Sequence, residues 1–212
     1  MTAVEVITGL LAPVGGRRLL ELGAGGGGLG RALTKRGMHW TGVDPGAVRP
    51  GVLRAGAEAL PFGSAQFDCA VFLNALHHVP VAQMGRALTE VRRVLTPGSD
   101  LVIIEPLASG PLSQVLAVVD DETRIRAAAQ DAIDVALAHS IFNLGKAFTY
   151  THTGNYPDFD SFAAGIAKAD PARADALREN RAEMLARFVA LAERTPQGFA
   201  LAQPMQVHHL TC

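Results

Sequence analysis

Residues 19–33, Leu-Leu-Glu-Leu-Gly-Ala-Gly-Gly-Gly-Gly-Leu-Gly-Arg-Ala-Leu, join an apolar run to a glycine-dense turn and then to a helical pattern. The run at 18–22 predicts a strand, and the pattern at about 28–36 predicts a helix. Glycine is needed where φ is positive or where a ligand approaches the backbone, and the helix start presents free N–H groups. Asp44 ends the next apolar run, where its carboxylate can accept hydrogen bonds from a ribose. This stretch therefore predicts a site for an adenosine-containing cofactor.

The composition fits a soluble globular protein. The 212 residues are 49% hydrophobic and 18% charged, with a net charge of −1, and these values argue against disorder. Basic residues form no cluster, so we expect no nucleic-acid partner. The two cysteines, Cys69 and Cys212, are too few for a disulfide framework and have no metal-binding spacing.

The first residues give an expectation about location. Residues 1–16 contain no basic segment and include Glu5, which does not fit a signal peptide. The chain has no run of about 18 apolar residues, so no membrane span is expected. We therefore predict a cytoplasmic protein that is a monomer or a homodimer.

Strand patterns alternate with helical patterns in the first half of the chain. Strands are predicted at 18–22, 39–43, 52–55, 67–73 and 100–105, and helices at 3–12, about 28–36 and 81–95. Such alternation produces a parallel sheet with right-handed crossovers. The predicted fold class is α/β, with a Rossmann-like, mostly parallel sheet of seven strands flanked by helices.

The second half is mainly helical. Residues 111–146 are rich in alanine, 147–156 predict a strand or extended loop, 158–168 and 171–194 predict helices, and 198–210 predict a strand. We expect one domain over 1–212. Within it, residues 1–105 would form the cofactor-binding core, 106–197 a helical insertion that caps the substrate, and 198–212 a closing strand.

The glycine turn taken alone fits two kinds of cofactor. Gly23-x-Gly25-x-x-Gly28 satisfies the dinucleotide fingerprint of NAD-binding proteins. Glu21-x-Gly23-x-Gly25-x-Gly27 equally resembles the pattern of S-adenosylmethionine (SAM) methyltransferases. The segments that follow along the chain separate these two interpretations.

Four downstream segments accompany the turn in a fixed order. They are Glu58-Ala-Leu-Pro-Phe62, Phe67-Asp68, Leu73-Asn-Ala-Leu-His-His-Val-Pro80 and Glu90-x-x-Arg-Val-Leu-x-Pro-Gly98. Together with the turn they resemble the class I SAM-dependent methyltransferases over about residues 17–106. The group that includes the ubiquinone- and menaquinone-biosynthesis methyltransferases is the most similar subset.

This resemblance implies SAM as the cofactor, S-adenosyl-L-homocysteine as the product, and a small-molecule methyl acceptor. The implied cofactor-binding residues are Glu21, Gly23, Ala24, Gly25, Gly27, Asp44, Pro45, Ala57, Glu58, Ala59, Asn74, Ala75 and His78. The Glu21 carboxylate suits the amino group of the methionine moiety, and Asp44 suits the ribose diol. By resemblance, 57–59 border the adenine and Asn74 with Ala75 lines the methionyl end, with His78 close by.

The sequence departs from the family pattern in two places. The family often has an acidic residue before the Ala-Glu pair to receive the adenine amino group, and Gly56 stands there instead. Adenine recognition must then use backbone groups, Glu58 or another side chain. The segment 45–51 is too short and too rich in proline and glycine for a helix, so we expect one flanking helix to be missing or reduced.

No catalytic residue is identified by the sequence. SAM is already an activated methyl donor, so alignment of the reactants supplies much of the catalysis. A general base is required only for a protonated acceptor, and the candidates are His78, Glu105, Tyr150 and His152. We expect no metal site, because adjacent side chains such as His77 and His78 diverge.

Six aromatic residues favour a lid over an apolar or aromatic acceptor; they are Phe142, Phe148, Tyr150, Tyr156, Phe159 and Phe162. Two other functions stay open. A SAM-binding protein without methyl transfer would have the same cofactor motifs. An NAD(P)-dependent oxidoreductase fits less well, because the chain lacks a Tyr-x-x-x-Lys pair or another hydride-transfer constellation.

Overall fold

The apolar runs of the first half form strands at the predicted positions. β1 (Arg18–Leu22), β2 (His39–Val43) and β4 (Phe67–Leu73) begin and end as the sequence predicts. β4 is largely buried along its length, as expected for a strand that is covered on both faces. These observations come from a computed structural model, which describes residues 1–212.

The remaining strands are β3 (Val52–Leu53), β5 (Leu95–Pro106), β6 (Asn143–Tyr156), β7 (Glu193–Thr195) and β8 (Gly198–Thr211). The α-helices are α1 (Ala3–Leu10), α2 (Gly28–Thr34), α3 (Met84–Val94), α4 (Pro111–Leu116), α5 (Thr123–Ala138), α6 (Phe159–Ala169), α7 (Ala174–Glu179) and α8 (Arg181–Leu191). None of these helices is long and apolar enough to cross a bilayer.

The strands form an open α/β sheet in the order β3-β2-β1-β4-β5-β8-β6, with β7 paired to β8. The β1–β2, β1–β4, β2–β3 and β4–β5 pairs are parallel, and β7–β8 is antiparallel. The Rossmann-like, mostly parallel fold is therefore confirmed. The sheet has eight strands because the three-residue β7 adds to the seven expected. The strand order reverses beside β1, which places a ligand-binding crevice at the carboxyl ends of β1 and β4.

The chain divides into two units. Unit 1 contains Met1–Glu105, Ile125–Thr149 and Gln206–Cys212, and unit 2 contains Pro106–Arg124 and Tyr150–Met205. The core of unit 1 is built from β1, β4 and α3, with buried residues such as Leu20, Phe72 and Leu88. These packed side chains hold the carboxyl ends of the strands in place.

Several aromatic residues of the second half pack into the two cores. Phe142 is buried in the core of unit 1. Phe159 and Phe162 join Phe188 in the core of unit 2, where the rings of Phe162 and Phe188 have centroids 5.1 Å apart. Aromatic side chains contribute large buried areas, so these three residues stabilise their own units. The lid over an acceptor stays a prediction.

Several predicted elements differ from the structure. The expected helix at 171–194 is divided into a 3-10 turn, α7, α8 and β7. Asn180, with φ −103° and ψ 14°, separates α7 from α8. The alanine-rich segment 111–146 holds two helices and the start of β6, which extends to Tyr156. β5 begins at Leu95 rather than 100, since the chain passes from α3 directly into the strand. No helix lies between β2 and β3, as the proline and glycine content predicts.

Candidate functional site

The turn after β1 lies against the end of β2 and the segment after β4. The N–H groups of Gly23 and Ala24 both donate to the Val43 carbonyl, at 2.9 and 3.0 Å. Gly23 has φ +71°, and a Cβ at this position would lie 2.5 Å from the Cβ of Ala75. Only glycine satisfies both conditions. Position 23 therefore requires glycine, because the turn after β1 and the segment after β4 approach each other closely at the carboxyl end of the sheet.

Asp44 follows β2 and binds the backbone on both sides of its own position. Its Oδ2 accepts a hydrogen bond from the Gly25 N–H at 2.8 Å, and its Oδ1 accepts from the Gly46 N–H at 2.8 Å. Each carboxylate oxygen has a second lone pair for another donor. Asp44 thus fixes the glycine turn and keeps acceptor capacity for hydroxyl groups of a ligand.

A cavity of about 520 Å³ opens at this edge of unit 1. Its volume lies in the range of small-molecule and cofactor sites. It is lined by Gly23, Asp44, Pro45, Ala55, Gly56, Ala57, Glu58, Phe72, Asn74, Ala75, His78, Val79 and Pro80. Gly23, Asp44 and Asn74 come directly after β1, β2 and β4, so three adjacent strands deliver polar groups and an open backbone to one cavity.

Asn74 stands where β4 ends and its backbone is unusual. Its φ is +53°, a left-handed conformation that asparagine adopts more readily than most residues with a side chain. Its N–H donates to the Ile104 carbonyl at 2.9 Å. The strand therefore ends abruptly at Asn74 and turns along the cavity wall.

The buried carboxylate of Glu105 holds the segment after Asn74. Its Oε1 accepts from the N–H groups of Ala75 at 3.1 Å and Leu76 at 2.8 Å, and its Oε2 pairs with His77 Nδ1. Glu105 is 1% exposed and His77 3% exposed, so these hydrogen bonds form away from bulk water. The end of β5 thereby positions Ala75 and His78 at the cavity.

The wall formed by Ala55–Glu58 is held from α3. Glu90 Oε2 accepts from the Leu60 N–H at 3.3 Å, and Arg93 donates to the Phe62 carbonyl at 2.8 Å. Glu90 and Arg93 also form an ion pair at 2.7 Å. This pair explains the Glu-x-x-Arg spacing in the sequence, because both residues face the loop from one side of the helix.

Glu21 is buried beneath the glycine turn and is bonded to Trp40. Its Oε2 accepts a hydrogen bond from the indole Nε1 of Trp40 at 2.6 Å. Burial is the main cause that raises the pKa of Glu21 from 4.5 to about 7. The indole lies against Gly27 and Gly30, where a side chain at Gly30 would overlap the rings.

The segment that contains the cavity residues matches a known protein family. Residues 20–103 match the family described as methyltransferase domain. This segment is therefore similar to methyltransferase domains. An uncharacterized methyltransferase of Mycobacterium tuberculosis is 38% identical over 104 residues, covering 44% of this chain and 42% of the relative. Another from Mycobacterium sp. (strain KMS) is 34% identical over 107 residues, covering 46% and 42%. The chain thus spans less than half the length of these relatives.

Solved structures are similar over almost the whole chain. BH2331 of Bacillus halodurans has a TM-score of 0.65 at 16% identity, covering 99% of this chain and 98% of that one. YcgJ of Bacillus subtilis has a TM-score of 0.63 at 17% identity, covering 98% and 97%. The [4+2]-cyclase SpnF has a TM-score of 0.61 at 18% identity, covering 98% and 78%. These similarities show a shared fold.

The resemblance to class I SAM-dependent methyltransferases is thereby confirmed, and the domain and fold imply SAM as the cofactor. The ubiquinone and menaquinone group stays a prediction. The cavity fits this cofactor in volume, in the close backbone approach at Gly23, and in the acceptor capacity of Asp44.

Eight of the thirteen predicted site residues line the cavity of the methyltransferase domain: Gly23, Asp44, Pro45, Ala57, Glu58, Asn74, Ala75 and His78. The other five lie outside its lining. Glu21 is bonded to Trp40, Gly25 is bonded to Asp44, and Gly27 borders a separate opening beside Arg31 and Arg49. Ala24 and Ala59 flank lining residues in the chain.

Sequence reasoning missed five lining residues: Ala55, Gly56, Phe72, Val79 and Pro80. Phe72, Val79 and Pro80 belong to or adjoin the motif at 73–80, so the motif marked the segment without marking which side chains face inward. Ala55 and Gly56 precede the Ala-Glu pair and carry no distinctive chemistry.

The four candidate bases are in different situations. His78 is exposed and lines the cavity. The Glu105 carboxylate is occupied by backbone donors and His77. Tyr150 and His152 belong to unit 2, and burial raises the pKa of Tyr150 above its ordinary value. His78 is therefore the candidate that the cavity itself contains.

Proposed function

We propose that this chain transfers the methyl group of SAM to a small-molecule acceptor. One observation carries the proposal: the cavity at the ends of β1, β2 and β4 lies within the methyltransferase domain and presents Gly23, Asp44 and Asn74 together. Open α/β sheets bind their ligands at the carboxyl ends of the strands, at the point where the strand order reverses.

The residues of the cavity would bind and orient the cofactor. Asp44 would accept hydrogen bonds from the ribose hydroxyls, the backbone at Gly23 would lie against the cofactor, and Asn74 with Ala75 would line its methionyl end. The bound SAM supplies a methyl group on a positively charged sulfur. Holding donor and acceptor in line supplies much of the rate enhancement, so these residues act mainly by positioning.

His78 is the group that we propose to accept a proton when the acceptor carries one. Its imidazole is exposed and lines the cavity, and a neutral imidazole has one ring nitrogen that can accept a proton. A base is useful only within hydrogen-bond reach of the acceptor. Replacement of His78 should therefore lower the rate for hydroxyl or ammonium acceptors more than for acceptors that need no deprotonation.

We further propose that the acceptor is apolar or aromatic. The support is the apolar part of the cavity wall, formed by Phe72, Val79 and Pro80. Ligand sites combine such apolar walls with a few polar groups. The aromatic residues of the cores do not add to this support.

A SAM-binding protein without methyl transfer is the second candidate. The observation in its favour is that the [4+2]-cyclase SpnF shares the fold, and one fold can serve different chemistries. Binding of SAM does not separate the two candidates, whereas turnover does.

The test is a turnover assay with methyl-labelled SAM and a panel of phenols, catechols, amines and aliphatic acids. We expect S-adenosyl-L-homocysteine and labelled product to form in equal amounts with at least one aromatic acceptor, and to fall to background in Asp44→Ala. Binding of SAM with no product from any acceptor would favour the second candidate and contradict methyl transfer.

A further inference from the structure

A second cavity, of about 490 Å³, opens beside the glycine turn of unit 1. It shares no lining residue with the 520 Å³ cavity at the ends of β1, β2 and β4. The only charged residues of its lining are two arginines, Arg31 of α2 and Arg49 of the segment between β2 and β3. A cleft whose charges all have one sign concentrates ions of the opposite sign, so this cavity favours an anion.

Neither arginine is paired with a carboxylate. Arg31 donates from Nη1 to the Gly26 carbonyl at 2.7 Å, and the guanidinium of Arg49 forms no hydrogen bond and no ion pair. The two carboxylates beside the turn, Glu21 and Asp44, accept hydrogen bonds from other donors. A guanidinium has five N–H donors in a planar fork, so both side chains keep donors for an oxyanion.

The glycines of the turn leave the two guanidinium groups uncovered. A Cβ at Gly26 would lie 4.0 Å from Arg49 Cζ, and a Cβ at Gly28 would lie 3.9 Å from Arg31 Nη2. Each of these is the only contact within 4 Å beyond the local chain. Both guanidinium groups therefore lie against the same turn, and residues 25–28, which are all glycine, place no side chain between them and a ligand.

The rest of the lining indicates that the ligand has an organic part. The cavity has more room than one phosphate group fills, and its apolar lining consists of Trp40, Pro50 and Val52. The Cη2 atom of Trp40 lies 3.3 Å from the Cβ position of Gly27, so the benzene ring of the indole faces the turn. Small-molecule sites combine such apolar surface with a few polar groups.

We propose that this cavity binds an aromatic phosphate monoester, with its phosphate between Arg31 and Arg49 and its ring against Trp40, Pro50 and Val52. A phosphate monoester carries up to two negative charges and three acceptor oxygens, so it can accept from two guanidinium groups at once. A carboxylate has a single charge to share between them. This inference is independent of methyl transfer, because it uses no residue of the cavity proposed for SAM.

The test is calorimetric titration of the full chain with phenyl phosphate, which contains no adenosine to direct it to the other cavity. We expect one site per chain and a change in the fluorescence of Trp40, the only tryptophan. Inorganic phosphate should bind roughly tenfold or more weakly, because it buries no ring, and phenol should not bind. All titrations use one pH, since Trp40 is also bonded to Glu21.

Substitutions of Arg49 test its contact with the phosphate. Arg49→Gln should weaken phenyl phosphate by roughly 10- to 100-fold, and the fold should be retained because this guanidinium has no partner in the protein. Arg49→Lys keeps the charge but loses the planar fork, so its affinity should lie between those of the wild type and Arg49→Gln. Arg86→Gln removes an exposed arginine of α3 and should leave the affinity unchanged.

Arg31→Gln should weaken phenyl phosphate to a similar extent. This variant also loses the hydrogen bond to Gly26, so urea unfolding checks that the turn and α2 keep their stability.

A competition experiment separates the two cavities. Saturation with S-adenosyl-L-homocysteine should not displace phenyl phosphate. Displacement, an unchanged affinity in Arg49→Gln, or no saturable binding to the wild type would each overturn the second site. Binding without any change in Trp40 fluorescence would overturn its location. Failure of S-adenosyl-L-homocysteine to bind at all would contradict the proposed function and would leave this site standing.

Discussion

At the scale of single residues, Asp44 joins the fold to ligand binding. Its carboxylate accepts from the Gly25 and Gly46 N–H groups and would also accept from a ribose. Asp44→Asn keeps one acceptor oxygen and loses the charge, so we expect affinity for S-adenosyl-L-homocysteine to fall by roughly 10- to 100-fold. Calorimetric titration measures this change. Asp131→Asn, at an exposed position of α5, is the control, and equal affinities in all three proteins would refute the role of Asp44.

Glu21 predicts a pH-dependent signal from the only tryptophan of the chain. Burial raises the Glu21 pKa to about 7, and Trp40 donates to its carboxylate. We expect the fluorescence of Trp40 to titrate with a midpoint near that pKa as the indole's partner gains or loses its charge. Glu21→Gln should abolish the transition, and its persistence in that variant would assign it to another group.

The same group makes stability depend on pH. A carboxyl whose pKa is raised in the folded state binds more protons there than in the unfolded state. Its contribution is complete below the unfolded pKa of 4.5 and is lost as the pH rises through about 7. We therefore expect Glu21→Gln to gain up to about 3 kcal/mol over the wild type at pH 8, with little gain at pH 4. Urea unfolding at both pH values measures it; equal effects at both would contradict the raised pKa.

At the scale of elements, α2 packs against β2 through the indole of Trp40. A side chain at Gly30 would overlap the indole rings, whereas Gly165 in α6 has open space around its Cβ position. We expect Gly30→Ala to lower the free energy of unfolding by about 3 kcal/mol and to shift Trp40 fluorescence. Gly165→Ala should raise the free energy of unfolding by about 0.5–1 kcal/mol. Denaturant unfolding compares them, and a neutral Gly30→Ala would show that α2 and β2 have room to move apart.

The end of β5 supports the segment after β4 through Glu105. Glu105→Ala leaves the buried N–H groups of Ala75 and Leu76 without their acceptor, and we expect a loss of about 3 kcal/mol in stability. Affinity for S-adenosyl-L-homocysteine should fall with it, because this segment carries part of the cavity wall. Glu105→Gln retains an acceptor oxygen and should lose less of both quantities. A stable Glu105→Ala with unchanged affinity would contradict this positioning role.

Local patterns explain which elements the sequence predicts well. β1, β2 and β4 are short apolar runs with turn residues beside them, so their bounds follow from neighbouring residues alone. The helix expected at 171–194 breaks at Asn180, where uniform alanine content hides the change in backbone direction. The β5 start at Leu95 depends on its pairing with Phe67 of β4, which no local pattern reveals.

The site likewise contains residues that the sequence predicts and contacts that only the folded structure reveals. Gly23, Asp44 and Asn74 were predictable because each follows a strand that the sequence marks. The Trp40–Glu21 bond and the Glu105–His77 pair join residues 19 and 28 positions apart, and the fold alone brings them together. The close approach of the Glu58 carboxylate to Gly56 needs side-chain geometry, although the sequence shows that position 56 is unusual.

At the scale of the whole molecule, every residue that lines the cavity belongs to unit 1. A ligand that binds only the folded state stabilises it, by about 2.7 kcal/mol at one hundred times its dissociation constant. We therefore expect S-adenosyl-L-homocysteine to slow hydrogen exchange at 55–60 and 72–80, with little direct effect at 159–169 of α6. Hydrogen-exchange mass spectrometry measures this, and protection confined to α6 would place the ligand elsewhere.

The most direct test of the account is calorimetric titration of the full chain with SAM, S-adenosyl-L-homocysteine and NAD under the same conditions. We predict that SAM and S-adenosyl-L-homocysteine bind at one site per chain, that Asp44→Ala abolishes both, and that NAD does not bind. Binding of NAD without binding of SAM would contradict the account.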